Sequence, residues 1–284
     1  MTALKRNNIL DQAAHYDEFP AISNADYHSF FSFLGGRLSY SCNLWLDELG
    51  NSIANNNAKA TINKWKEYGN LLGWTPDSSI KVLEIGFGFG TLSKWIKGEY
   101  GFNVTSLNVS ELNYNLATED SEGVNFIHKS WEESPYKNEF DFVISEGVLV
   151  HQRDKKGIFE YAQRALKPSG KALIREMHFT TGSNINAIVC KGLNATYRHS
   201  GSYVPTKENE DILKDIGFWK QTVLWDIENY VLTQTEWLDK MKQNKVQMKA
   251  INNDAWVHRM LNFEMFLLCF RRNTFEMATF LCEK

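Results

Sequence analysis

Apolar positions in this chain follow two rhythms. Between residues 80 and 176, short apolar runs of strand length alternate with amphipathic stretches of helical length. Ile80–Ile85, Phe102–Leu107, Val124–Ile127, Phe140–Ser145 and Lys171–Glu176 read as strands. Thr91–Tyr100, Glu111–Glu119 and Gly157–Leu166 read as helices, the last closed by Lys167-Pro168-Ser169-Gly170. Such alternation predicts an α/β fold with a mostly parallel sheet, right-handed crossovers and a ligand at the carboxyl ends of the strands. Further on, the pattern predicts a helix over Lys207–Ile216, a strand over Trp219–Trp225, helices over Thr235–Asn244 and Trp256–Phe270, and a strand over Phe275–Cys282. That makes seven strands.

Outside the alternating region the pattern is looser. Ala58, Ile62, Trp65 and Leu72 fall at helical spacing, which predicts an amphipathic helix from about Ala54 to Leu72. Residues 1–35 carry Tyr16, Phe19, Tyr27, Phe30, Phe31 and Phe33 at irregular spacing, as short helices across a pocket or plain surface packing would require. Residues 180–205 hold no strong period and are expected to cap the site. The whole of 1–284 is expected to form one domain, with 1–75 as an N-terminal helical segment.

Composition narrows the function classes. A formal charge of −3 argues against nucleic-acid binding, which needs clustered Lys and Arg. Cys42, Cys190, Cys269 and Cys282 lie far apart with no C-x-x-C pair, so neither a disulfide frame nor a zinc site is expected, and no His/Asp/Glu cluster has metal-ligand spacing. A reducing cytoplasm is the simpler compartment. Met1–Pro20 lacks the apolar core of a signal peptide, and the most apolar stretch, Met260–Phe270, is too short and interrupted to be an integral membrane segment. A homodimer is compatible with the sequence. Aromatic residues make up 13% of the chain, enough to line a pocket for an apolar or cationic ligand as well as to fill a core.

The sharpest chemical signal is Val82-Leu83-Glu84-Ile85-Gly86-Phe87-Gly88-Phe89-Gly90-Thr91. A strand, a carboxylate, glycines at alternate positions and a helix start describe a turn that a ligand can approach closely. The spacing G-x-G-x-G, with Glu84 two residues before the first glycine, departs from the G-x-G-x-x-G of dinucleotide sites. A carboxylate beside close-approach glycines suits a ligand with a ribose and an amino-acid tail, and S-adenosylmethionine (SAM) is the expected one.

With Phe140-Asp141-Phe142-Val143-Ile144-Ser145 and Leu166-Lys167-Pro168-Ser169-Gly170 before the fifth strand, the chain resembles the class I SAM-dependent methyltransferases, whose fold is Rossmann-like. Tyr40-Ser41-Cys42, Asn108-Val109-Ser110, Trp131-Glu132 and Phe275–Lys284 narrow the resemblance to the cyclopropane fatty acid and mycolic acid cyclopropane synthases, over about Tyr16 to Lys284. The resemblance implies that Tyr40 and Ser41 close over the methionine tail of SAM. Glu84, Gly86, Gly88, Gly90 and Glu146 would surround the cofactor, Asn108, Ser110 and Asn113 would lie near the ribose, and Trp131 and Glu132 would hold the adenine. A competing reading makes Trp131 a core residue.

The catalytic side departs from the family. The resemblance implies a bicarbonate base held by a Cys, a Glu, a His and a Tyr. Cys42 matches the first and Tyr230 the last, but Val150 precedes His151 where the Glu belongs, and Arg175 stands where the His belongs. Ring closure needs that base to deprotonate a carbocation; methyl transfer does not. Glu146, His151 and Glu176, at or after the ends of the fourth and fifth strands, are the other catalytic candidates. Against them, Glu146 could be structural beside the ligand and Glu176 a salt-bridge partner of Arg175. Cys42, with nothing to make it a thiolate, is expected to line the pocket. The expected activity is methyl transfer to a small-molecule or acyl-type acceptor. A true cyclopropane synthase and a protein that binds SAM without transfer are the alternatives.

Overall fold

The computed structural model describes residues 23–35, 38–180 and 203–284. Tyr16, Phe19, Cys190 and nearly all of the expected cap at 180–205 lie outside the described residues.

Seven strands form one sheet in the order β3-β2-β1-β4-β5-β7-β6. These are β1 (Lys81–Ile85), β2 (Asn103–Asn108), β3 (Asn125–His128), β4 (Phe140–Glu146), β5 (Leu166–Phe179), β6 (Trp219–Trp225) and β7 (Phe275–Glu283). The first five are parallel, and β7 runs antiparallel between β5 and β6. The strand order reverses between β1 and β4, so a crevice opens at their carboxyl ends. β1 is buried on both faces after Lys81, which is why its sequence is an unbroken apolar run interrupted only by Glu84.

The strand beginning at Leu166 corrects the expected turn there in a limited way. Leu166 pairs with Phe140 and the next pair is Phe142 with Lys171, so residues 167–170 loop out of register, with Ser169 at φ 64°. The turn chemistry is present, as a bulge inside a longer strand.

Helix α1 (Asn24–Phe30) starts on a Ser23 side chain that accepts from the Asp26 amide, and runs into a 3-10 turn over Phe31–Leu34. Helix α2 (Asn57–Leu72) is capped by the Asn56 side chain at one end and by left-handed Gly73 at the other. The crossover helices are α3 (Thr91–Tyr100), α4 (Glu111–Thr118) and α5 (Lys155–Ala165); α6 (Thr206–Asp215) leads into β6. Helices α7 (Glu228–Gln243) and α8 (Lys245–Arg271) lie between β6 and β7, and α8 bends at Asn252, where φ is −155° and ψ 99°.

Helix α7 begins seven residues before the expected Thr235 because its first turns bury polar side chains, which hide the apolar period. Asn229 Oδ1 accepts from the amides of Trp45 and Leu46, and Thr233 Oγ1 accepts from the Asn43 amide and the Trp45 indole. These bonds tie the segment before α2 to α7 and set the position of Tyr40–Cys42. An aromatic group then closes over the glycine turn: Phe31 lies 5.3 Å from Phe89, and Tyr40 stacks on Trp237 at 5.7 Å. No described helix is long and apolar enough to cross a membrane.

Candidate active site

A cavity of about 260 Å³ lies at the carboxyl ends of β1, β4 and β5. The glycine turn forms its floor. Gly86, at φ +84°, needs to be glycine because a Cβ would meet Val148 Cγ2 at 2.4 Å. A Cβ on Gly88 would meet none of the described residues within 4 Å, so the backbone is open to the cavity there. Gly90, expected beside the ligand, does not line the cavity; Phe126 and Ala117 crowd it instead. Its φ of +76° turns the chain into α3.

Glu84 ends this floor from below. It is 4% exposed, lines the cavity and accepts from the Ser93 hydroxyl, which also meets Ser106. Burial pushes its carboxyl up to about 7, against the lowering effect of the Ser93 bond.

At the end of β2, Asn108 and Asn113 line the cavity, whereas Ser110 does not. The Ser110 hydroxyl caps α4 by accepting from the Asn113 amide, and Asn108 Oδ1 accepts from the Ser110 amide. Ser110 therefore positions the two asparagines. Trp131 lines the cavity, its indole N–H donating to Gln152 Oε1 at 2.9 Å, and Glu132 beside it does not. Gln152, also on the cavity wall, had no motif to mark it.

The far side holds a buried ion cluster. Glu146 and Arg175 are register partners on β4 and β5, with Arg175 Nη1 2.7 Å from Glu146 Oε1. Lys64, fully buried on α2, lies 3.0 Å from the same oxygen and also donates to Ser39. The Ser41 hydroxyl donates to Glu146 at 2.6 Å, and Tyr68 donates to it as well. Burial alone would raise the Glu146 carboxyl, but Lys64 and Arg175 outweigh it and hold the group at about 2. Glu146 is therefore held ionised, and a carboxylate so stabilised is a weak base. Lys64 is pushed down to about 8 by burial, partly offset by Glu146.

Arg175, 1% exposed, also donates to the Cys42 carbonyl at 2.9 Å and to the Tyr230 hydroxyl, and its guanidinium lies 4.5 Å from the centre of the Trp225 ring. Its Nε has no acceptor among the described residues. Tyr230, expected among the catalytic residues, does not line the cavity; its hydroxyl lies against Arg175 and fixes it. Cys42 and Tyr40 do line the cavity. Burial pushes the Cys42 thiol up to about 12, so it is a neutral wall residue and no nucleophile.

Glu176 points away from this cluster, and the expected salt bridge with Arg175 is not formed. Its carboxylate accepts from the Val150 amide at 3.1 Å and the Met177 amide at 2.8 Å, and burial raises it to about 7. His151, at the end of a 3-10 turn over Leu149–His151, is buried on the cavity wall. His178, two residues beyond Glu176, lies in the core with Asn209 Nδ2 3.0 Å from its Nε2, and burial lowers it to about 3. Among the described residues no group of His, Cys, Asp and Glu could hold a metal ion.

Residues 83–174 match the family described as a methyltransferase domain. A glycine/sarcosine/dimethylglycine N-methyltransferase from Actinopolyspora halophila is 32% identical over 103 residues, covering 34% of this chain and 18% of that protein. A cyclopropane-fatty-acyl-phospholipid synthase from Escherichia coli is 28% identical over 147 residues, 51% of this chain and 36% of the relative. The match thus takes in well under half the length of either relative. The cyclopropane synthase MmaA2 from Mycobacterium tuberculosis superimposes with a TM-score of 0.83 over 97% of this chain and 98% of that one, at 21% identity. A Haemonchus contortus phosphoethanolamine N-methyltransferase 2 bound to S-adenosylhomocysteine has a TM-score of 0.72 over 96% of this chain and 59% of that one, at 18% identity. Residues 83–174 are thus similar to a methyltransferase domain, and the chain as a whole has the fold of these class I structures.

Proposed function

We propose that the chain transfers a methyl group from SAM to a small-molecule or acyl-type acceptor. The observation that carries this reading is the pairing, on one cavity, of an open glycine backbone with groups of opposite charge. Glu84 suits the ammonium of a methionine tail. Arg175 lines the cavity, its Nε lacks an acceptor among the described residues, and with Lys64 behind it the cluster holds one positive charge more than Glu146 balances, which suits the carboxylate. Gly88 leaves the space that close approach needs. Asn108 and Asn113 would then hold the ribose, with Trp131 beside the adenine. These features fit SAM.

When bound, SAM supplies an electrophilic methyl group on a sulfonium, open to in-line displacement. The protein's own part is alignment and exclusion of water. The aromatic cover over the turn, Phe31, Phe89, Tyr40 and Trp237, supports a closed site. Tyr40 and Ser41 are held over the tail by stacking on Trp237 and by the hydrogen bond to Glu146. His151 and Glu176 are the remaining cavity groups able to take a proton from an acceptor.

Cyclopropanation is the second reading, favoured by the similarity to MmaA2 and to the Escherichia coli synthase. Arg175 weighs against it. The guanidinium already engages the Cys42 carbonyl and the Tyr230 hydroxyl, two of the residues that the family resemblance assigns to a bicarbonate base. Three described cysteines, Cys42, Cys269 and Cys282, are free and buried, which supports a reducing cytoplasmic setting. Titration of the purified chain with SAM and with S-adenosylhomocysteine tests the cofactor reading. Saturable one-to-one binding of both is expected, and failure to bind either overturns it.

A further inference from the structure

The cavity contains an acidic group that holding SAM itself does not use. Glu176 is 5% exposed, lines the cavity, and is separated from the Glu146 cluster by the alternation of β5. Its two oxygens take backbone N–H groups from Val150 and Met177, which favour the ionised form but bring no compensating charge. Among the described residues no cationic side chain forms a salt bridge with it; the charge of Lys155, whose ammonium donates to the Leu149 and Gln152 carbonyls, favours its ionised form without reaching it. Arg175, the neighbouring cation, is engaged by Glu146, the Cys42 carbonyl and Tyr230.

A buried carboxylate whose burial outweighs the help of two amides and Lys155 gains from a cation brought in from outside. Its surroundings suit a cation with an apolar body. Val150, which donates to Glu176, belongs to an apolar cluster with Tyr203, Phe266, Phe270 and Met277, all on the cavity wall. Aromatic faces hold a cation as well as a hydrocarbon. A second observation asks for a hydrogen-bond donor: Gln234 lines the same cavity, is 4% exposed, and its Oε1 has no partner among the described residues. A carboxylic acid would be repelled by Glu176, and a bare acyl chain would satisfy neither acceptor.

We infer that the acceptor is an amine on an apolar body, with its nitrogen bound by the Glu176 carboxylate. The bound ammonium first gives a proton to the Glu176 carboxylate; displacement from the freed nitrogen lone pair then forms the carbon–nitrogen bond as the methyl–sulfur bond breaks, and the positive charge passes from sulfur to nitrogen. Glu176 gives its proton to solvent and, ionised again, balances the methylated ammonium. The inference names the acceptor for the methyl-transfer reading and rests on it.

The test separates the two. Calorimetry measures hexylamine, hexanol and hexanoate against the full chain saturated with S-adenosylhomocysteine, and against the chain alone. Hexylamine is expected to bind at least about tenfold tighter than hexanol, with hexanoate weakest, as a charge-assisted hydrogen bond predicts. Glu176→Gln is expected to erase the amine preference while leaving S-adenosylhomocysteine affinity unchanged. Equal binding of amine and alcohol, no binding of hexylamine, or a preference that survives Glu176→Gln overturns the amine assignment. Should the variant fail to fold, the selectivity of the unaltered chain decides alone. Loss of S-adenosylhomocysteine binding in the unaltered chain would sink the methyl-transfer reading, and is read in a separate titration.

Discussion

Glu146 and Arg175 face each other as register partners on neighbouring parallel strands, and the guanidinium reaches the carboxylate at 2.7 Å. Lys64 joins them from α2, so two cations share one anion in a dry site. Removing the anion leaves two buried positive charges without balance. Glu146→Gln is expected to cost roughly 3–5 kcal/mol of stability, read as a fall in the urea midpoint. The same group makes folding acid-sensitive. Its carboxyl lies below its unfolded value, so its contribution is present above about pH 4.5 and is lost as pH falls towards about 2. Stability against pH should therefore lose less in Glu146→Gln over that window than in the unaltered chain.

Glu84 gives the opposite sign. Burial raises its carboxyl to about 7, so the empty site holds it partly protonated at neutral pH. Pairing with the ammonium of a methionine tail requires the ionised form. SAM affinity should fall as pH drops below about 7, and Glu84→Gln should flatten that dependence. A lost charge-assisted bond of about 1.5–3 kcal/mol predicts a ten- to hundredfold weaker Kd for the variant. Titration calorimetry between pH 6 and 8.5 checks both.

The two glycines of the turn should separate by phenotype. At Gly86 an added Cβ strikes Val148 and the backbone is left-handed, so Gly86→Ala should lose about 1–3 kcal/mol of stability. At Gly88 the added Cβ projects into open space, leaving only the strain of a φ of +51°, about 1 kcal/mol. Gly88→Ala should lower SAM affinity by more than it lowers the thermal midpoint. Paired melting and binding curves distinguish the two positions.

Cys42 should be chemically quiet. With its thiol pushed up to about 12, iodoacetamide at pH 8 should leave Cys42 unmodified in the folded chain. Cys42→Ala should retain methyl transfer within a few-fold. Peptide mapping after alkylation reads the first, and turnover of the variant the second; rapid labelling of Cys42 would contradict its place as a neutral wall residue.

The fold was largely legible from the chain, because β1 to β5 carry apolar runs whose burial depends on local pattern alone. The glycine turn was legible for the same reason: positive φ at Gly86 and Gly90 is a local demand. Lys64 and Tyr68 were not. On α2 they occupy polar positions of an amphipathic helix and would pass for its wet face, yet both are fully buried. Their partner Glu146 lies about eighty residues away, and no local signal announces a tertiary ion pair. Arg175 was visible only as a departure from a family pattern. Its contacts with Glu146, Cys42 and Tyr230 show what an arginine at that position is held by. The first turns of α7 stayed hidden because Asn229 and Thr233 are buried as hydrogen-bond partners of Trp45 and Asn43.

The central claim is methyl transfer without ring closure, and isotopic mass decides it. SAM carrying a trideuterated methyl group is supplied with an apolar amine and an unsaturated phospholipid, and the products are weighed. The account predicts a product that keeps all the deuterium of the transferred methyl. A product that has lost one deuterium, as closure of a cyclopropane ring demands, would contradict it.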